Sequence, residues 1–165
     1  MPPEDFIVSG GLPFLAHRLR RASEQMVEAT YAIQRNSGFT GPPKSISTLL
    51  VLEQEGPLGI TEISDRIGLS HPLIIRFVRG LLEEGYVTQH GDPADGRRRL
   101  ISITDKGRRH VEYIAEFLPV ISRAFEQLFR DMGVDFYLAV ERFDQAVAER
   151  SLVDRLRDAR GSDES

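Results

Sequence analysis

The chain has 165 residues, 41% hydrophobic and 28% charged, with a net charge of −4 and no cysteine. That is the composition of a globular protein large enough to bury a core, not of a disordered one. The lack of cysteine excludes disulfides, thiolate metal sites, cysteine nucleophiles and thiol-based redox sensing, and suits a reducing compartment.

At the start, "MPPEDFIVSGG" has acids where a signal peptide needs bases, and no long apolar run. No stretch reaches the roughly 18 uninterrupted apolar residues of a membrane span. The expectation is therefore a soluble cytoplasmic protein with no membrane partner. From 12 to 34, Leu12, Leu15, Leu19, Ala22, Met26, Ala29 and Ile33 recur at steps of three and four, predicting a long amphipathic helix. "NSGFTGPP" makes a loop, and "KSISTLLVLEQEG" a helix of about three turns closed by Gly56 and Pro57.

In "ITEISDRIGLSHPLIIRFVRGLLEEGYV", Thr61 is the expected cap of a short helix ending near Arg66. Gly68 supplies a turn, Ser70 caps a second helix, and Pro72 falls in its first turn, where a missing N–H costs nothing. Ile74, Phe77, Val78 and Leu81 give that helix one apolar face, and Gly85 can end it in the left-handed conformation. Two short helices joined this way form a helix-turn-helix. "YVTQH" and "LISI" alternate as strands, and "GDPADGRRR" between them is a hairpin whose tip is Asp95-Gly96, chosen because glycine tolerates positive φ. The whole is a winged helix.

Thr104 is placed to cap a helix from about 105 to 130, which Pro119 should bend or locally break. A last helix runs from about Val134 to Glu149, and "RLRDARGSDES" reads as a frayed polar tail. The fold class is thus mainly α: a winged helix-turn-helix with a two-stranded wing, between N- and C-terminal helices. The division is 1–40, 41–104 and 105–165. The outer helices carry more apolar surface than so small a module can cover, so either they pack on each other within one chain or they also bury surface against a second copy, and the homodimer is the favoured reading.

Charge is segregated along this frame. Between Arg66 and His110 stand nine basic residues and five acids, a local charge of +4 that also takes in three of the four histidines. A positive surface on an acidic body is the footprint of a nucleic-acid-binding module, here for double-stranded DNA. Arg97, at the hairpin tip, can enter a narrow minor groove, whose enhanced negative potential attracts it. Arg98 and Arg99 leave the tip on alternate sides, so at most one shares its direction and the other meets phosphate or an acid of its own chain. On the second helix Ser70, His71, Ile75, Arg76 and Arg79 lie off the apolar face; Arg76 can address guanine or phosphate.

The run "TEISDRIGLSHPLIIRFVRGLLEEGYVTQHGDPADGRRRLISITDKG" resembles the multiple-antibiotic-resistance regulator (MarR) family of winged-helix transcription factors. That resemblance implies a homodimer held by its terminal helices, usually repressing nearby genes and often released by a small aromatic or lipophilic ligand. It implies that Asp95 orients Arg97, and that an effector pocket lies where the module meets the outer helices, making His17, Tyr31, Leu49, Leu52 and Tyr113 candidates. The chain departs from the family at Leu73 and Ile75, where relatives carry small polar groups, and at Arg79, where an acid is common. Apolar side chains in a major groove contact thymine methyls, so if Leu73 and Ile75 face DNA a T-rich preference or weak discrimination is expected; the alternative is that both support packing.

The four histidines, at 17, 71, 90 and 110, have no metal-ligand spacing, so no zinc or other cofactor is expected. No phosphate loop, nucleophile elbow or histidine–carboxylate set suggests an enzyme. A rival reading is a winged helix that binds an acidic protein partner, with Leu73 and Ile75 as its apolar contacts.

Overall fold

A computed structural model describes residues 5–36, 38–42 and 44–162, without the side chains at 33, 34 and 162. The expectations for Ile33, Pro43 and the extreme termini fall outside these. The elements are α1 (Phe6–Ser9), a 3₁₀ turn (Leu12–Phe14), α2 (Leu15–Asn36), α3 (Ile46–Glu55), α4 (Ile60–Ile67) and α5 (His71–Glu83). Strands β1 (Val87–Gly91) and β2 (Arg99–Ile103) follow, then α6 (Asp105–Met132), α7 (Phe136–Glu149) and α8 (Leu152–Ser162). The chain divides into two compact units, the first through Leu118 and the second from Pro119.

In the first unit the core is that of the winged helix. Leu49 and Leu52 from α3, Ile63 from α4, and Ile74, Phe77 and Leu81 from α5 are almost wholly shielded, and Val87 and Ile101 close the core from the sheet. Burying each such side chain is worth about 1.5–3 kcal/mol against an extended reference chain. The helix-turn-helix bend is made at Gly68, whose φ of 71° lies in the left-handed region that a side chain would resist. Antiparallel pairing runs from Val87 opposite Ile103 to Gly91 opposite Arg99, and Leu58 adds a bridge to Ile101 through bonds of 2.9 and 3.1 Å.

Several local expectations change. Thr61 is not the cap of α4: the N-cap lies two residues earlier, at Gly59, whose N–H donates to Glu62 Oε2 at 2.8 Å. That carboxylate reaches back three residues, the reciprocal half of a capping box, which a threonine inside the helix cannot do. Ser70 holds the N-cap position of α5, without a side-chain bond to the helix. Ahead of α2, Asp5 caps α1 by accepting the N–H of Ile7 at 2.9 Å, and Phe6 meets Phe14 edge-on at 5.2 Å, a short helix the apolar spacing does not reveal.

Thr104 does cap α6, its Oγ1 accepting the Gly107 N–H at 3.1 Å. Pro119 does not break that helix, which continues to Met132. The ring removes one helical donor, but Ala115, whose carbonyl loses it, is exposed, so water can take the bond.

In the second unit, residues 155–162 of the expected frayed tail belong instead to α8. Ser151 Oγ accepts the Asp154 N–H at 3.1 Å and donates to Asp154 Oδ2 at 2.6 Å, and Arg157 pairs with Asp154 at 3.3 Å. These local bonds start a helix that composition alone does not announce. Phe129 lies 6.1 Å from Phe125 and 6.2 Å from Phe136. Yet none of residues 119–161 is fully buried, and Tyr137 and Leu156 are 75% and 70% exposed. Among the described residues, no helix is long and apolar enough to cross a membrane.

Gly80 lets the loop before α3 lie against α5: a Cβ built there would sit 2.2 Å from Pro42 Cγ. Gly80→Ala is therefore expected to lower stability by about 1–3 kcal/mol through overpacking. Urea midpoints read the effect, and an unchanged midpoint would show that the Pro42 loop yields freely.

Candidate nucleic-acid interface

Helix α5 owes its orientation to its buried stripe. With Ile74, Phe77, Val78 and Leu81 in the core, His71, Pro72, Ile75, Arg76 and Arg79 share an outward arc of about 140° on an ideal helix. All five are exposed, Ile75 by 46%. Leu73 is different. It is half-buried and packs against the core, so the expectation that it faces outward beside Ile75 is corrected. Its place on the helix is between the outward arc and the buried stripe, where a leucine gains more from packing than from water.

The wing is shaped by side chain–backbone bonds. Asp92 Oδ1 accepts the Ala94 N–H at 2.8 Å, and Asp95 O accepts the Arg98 N–H at 2.9 Å, closing a turn centred on Gly96 and Arg97. Gly96 is not among the glycines with positive φ, so the tip turns without the conformation invoked for it. Asp95 Oδ1 accepts the backbone N–H of Arg97 at 3.0 Å. It holds the turn that presents Arg97, not the guanidinium itself.

Arg98 and Arg99 part company, as alternation requires. Arg98 is ion-paired with Glu62 of α4 and reaches Asp92 at 3.6 Å. Bonding to Arg98, and then the Gly59 N–H, hold the Glu62 carboxyl below its ordinary value, so the pair persists at neutral pH and is lost only in acid. Arg99 stays exposed at the end of β2.

A pattern emerges among the cations. Arg66 pairs with Glu55 at 2.8 Å, and Arg108 with Glu53 at 3.6 Å and Asp105 at 3.7 Å. Among the described residues, Arg76, Arg79, Arg97 and Arg99 have no ion pair. Within residues 44–104 the arginines without an ion pair are those of the outward arc of α5 and the wing, while Arg66 and Arg98 are neutralised by acids of their own chain. Such an arrangement can hold a polyanion with both shaped elements. Among these residues there is no group of three His, Asp or Glu placed to hold a metal ion.

The five residues proposed for an effector pocket do not form one cluster. Leu49 and Leu52 are sealed in the core, at 0% and 1% exposure, and serve its packing instead of lining an opening. His17 is exposed on α2 in a shallow depression with Ala16 and Arg20. Tyr31 is half-buried and donates to Gly41 O at 3.4 Å. Tyr113 belongs to an aromatic group that sequence reasoning missed: it lies 4.7 Å from Phe117 and 6.4 Å from His110, which stacks on Phe39 at 4.3 Å beside Tyr86 at 5.8 Å. One signal was available, since His110 precedes Tyr113 by three on a helix whose neighbouring positions, Val111 and Ile114, are apolar.

Residues 37–98 match the MarR family. An HTH-type transcriptional regulator of Mycobacterium tuberculosis is 25% identical over 133 residues, 73% of this chain and 92% of that one. By structure, the chain is similar to a mutant MarR from E. coli complexed with operator DNA, with a TM-score of 0.68 and 14% identity over 87% of this chain and 99% of that one. It is also similar to the PcaV transcriptional regulator of Streptomyces coelicolor in complex with its natural ligand, with a TM-score of 0.61 and 22% identity, covering 92% and 99%. At these identities the structural likenesses establish the fold.

Burial pushes the His110 imidazole below its ordinary value of 6.5, so the folded state prefers the neutral ring. The stabilisation is complete above that value and fades as pH falls through and below it. His110→Phe, which keeps the stack on Phe39, is expected to flatten the fall in urea midpoint between about pH 7 and pH 5.5 seen in the wild type.

Proposed function

We infer that this chain is a member of the MarR family, which its residues 37–98 match, and acts as a homodimeric cytoplasmic repressor that grips a pseudo-palindromic operator. The observation that carries this reading is the set of uncompensated arginines on α5 and the wing, beside others neutralised in place. In it, α5 enters the major groove. His71 and Ser70 at its start approach phosphate or base edges, Arg76 and Arg79 address guanine or phosphate, and Ile75 lies against thymine methyls. Arg97 enters the minor groove from a turn held by Asp95, and Arg99 takes phosphate. The structural neighbour from E. coli is complexed with operator DNA.

Dimerisation is assigned to residues 1–40 and 105–165, and DNA binding to 41–104. Support comes from the second unit, whose described residues include none that is fully buried. Exposed apolar residues on that scale call for a partner surface. Leu15 and Leu19 on α2, 44% and 41% exposed, extend the same argument. A twofold pair presents two recognition helices about 34 Å apart, one turn of B-form DNA. A small aromatic or lipophilic effector is assigned to the aromatic group of Tyr113, Phe117 and His110; PcaV is in complex with its natural ligand. The chain acts by binding, with no cofactor and no catalytic step.

Exposed Ile75 favours one other reading, a module that binds an acidic protein partner. Salt separates the two. With four or more phosphates neutralised per dimer, log K falls against log salt with a slope of about −0.9 per phosphate. Micromolar or weaker binding to every duplex at every salt supports the protein partner instead. Arg97→Ala is expected to weaken operator binding by about 1–3 kcal/mol while leaving the dimer intact by light scattering. Selection from a random duplex pool is expected to return T-rich half-sites opposite Ile75; G·C-rich half-sites there contradict the methyl contact.

A further inference from the structure

A two-stranded hairpin is not stable alone in water, so the direction of the wing is set by what holds it from outside. Its root is held by backbone, through the paired bonds between Leu58 and Ile101. Beyond Ile101 the hairpin projects about 15 Å to its tip at roughly 3.4 Å per residue, so a tilt of about 10° moves Arg97 by about 2–3 Å. A minor groove is only about 6 Å wide. One further anchor lies along that lever. Arg98 is ion-paired with Glu62 of α4 and reaches Asp92, at the end of β1, at 3.6 Å. The carboxylate of Glu62 is itself fixed, because it accepts the Gly59 N–H at 2.8 Å. The clamp closes over that backbone: a Cβ built on Gly59 would lie 3.5 Å from Arg98 Nε.

We propose that Glu62 is a positioning residue for DNA binding: with Asp92 it clamps Arg98, fixes the wing against α4, and lets Arg97 and α5 reach one duplex together. This rests on the DNA-binding reading above. Arg98 then acts as a strut between the two halves of the DNA-binding module, and contact with the duplex falls to Arg97 in the groove and Arg99 at phosphate.

The test turns on a sign. Glu62→Gln keeps an oxygen for the Gly59 N–H but removes the charge that holds Arg98. If electrostatics alone matters, removing an acid and releasing an arginine tightens binding and steepens its salt dependence. If the clamp positions the wing, binding weakens by about fivefold to twentyfold, and the same change in an Arg97→Ala background costs less than about twofold, because the group being positioned is gone. The readout is fluorescence anisotropy of full-length dimer on the duplex that wild type selects from a random pool, with thermal midpoint and dimer mass checked for each variant. Arg98→Gln, which breaks the clamp from the other side and leaves the α4 cap in place, is expected to show the same non-additivity. Tighter or unchanged binding by Glu62→Gln, or equal losses with and without Arg97, overturns the clamp. A loss on Arg98→Gln that persists without Arg97 overturns it as well, since Arg98 would then be touching the duplex. Wild type that selects no duplex overturns the DNA-binding reading itself, and the clamp with it.

Discussion

The packing of Ile74, Phe77, Val78 and Leu81 into the core under α3 and α4 governs the rest of this molecule. With those four side chains inside, α5 has no rotational freedom, and His71, Ile75, Arg76 and Arg79 are turned outward as a consequence. A rotation by one residue would take about 100° of helix face with it and bury an arginine, which a small apolar core cannot accommodate. The same core receives Val87 and Ile101, so one packing event orients both α5 and the root of the wing.

Charge is then distributed by that scaffold in two ways. Arginines near acids of neighbouring elements are neutralised: Arg66 by Glu55, Arg98 by Glu62, Arg108 by Glu53. Exposed pairs of this kind contribute little to stability. Their consequence is positional, because within residues 44–104 they leave Arg76, Arg79, Arg97 and Arg99 as the arginines without an acidic partner. A chain that is acidic overall can therefore still offer a polyanion a positive region on that module. Arg98 also shows that a residue inside a basic run can be engaged by acids of its own chain.

The second unit raises a different physical point. Amphipathic helices without an enclosed interior keep their apolar faces in water unless another surface covers them, and α7 and α8 are helices of this kind. Their local starts are well made, by Asp135 accepting the Leu138 N–H at 2.9 Å and by Ser151 with Asp154. In the proposed dimer, association with a second copy covers these faces.

Legibility followed the range of the interactions. Periodicity and turn chemistry determined the helix-turn-helix, the hairpin and the Thr104 cap, because each rests on residues within a few positions of one another: the stripe of α5, Gly68 between two helices, alternation in "LISI". They also determined which arginines stand at the hairpin tip, and the family resemblance those residues carry. Tertiary structure alone decided the rest. That Leu73 packs inward while Ile75 does not depends on how far the core extends around α5. That Glu62, and not Thr61, serves the start of α4 and then takes Arg98 depends on a hairpin distant in the chain. That Phe39, Tyr86, His110 and Tyr113 gather into one aromatic group depends on a loop, the turn leading into β1 and a helix meeting. Such long-range contacts are selected by packing of the whole module, so no local pattern in the chain records them.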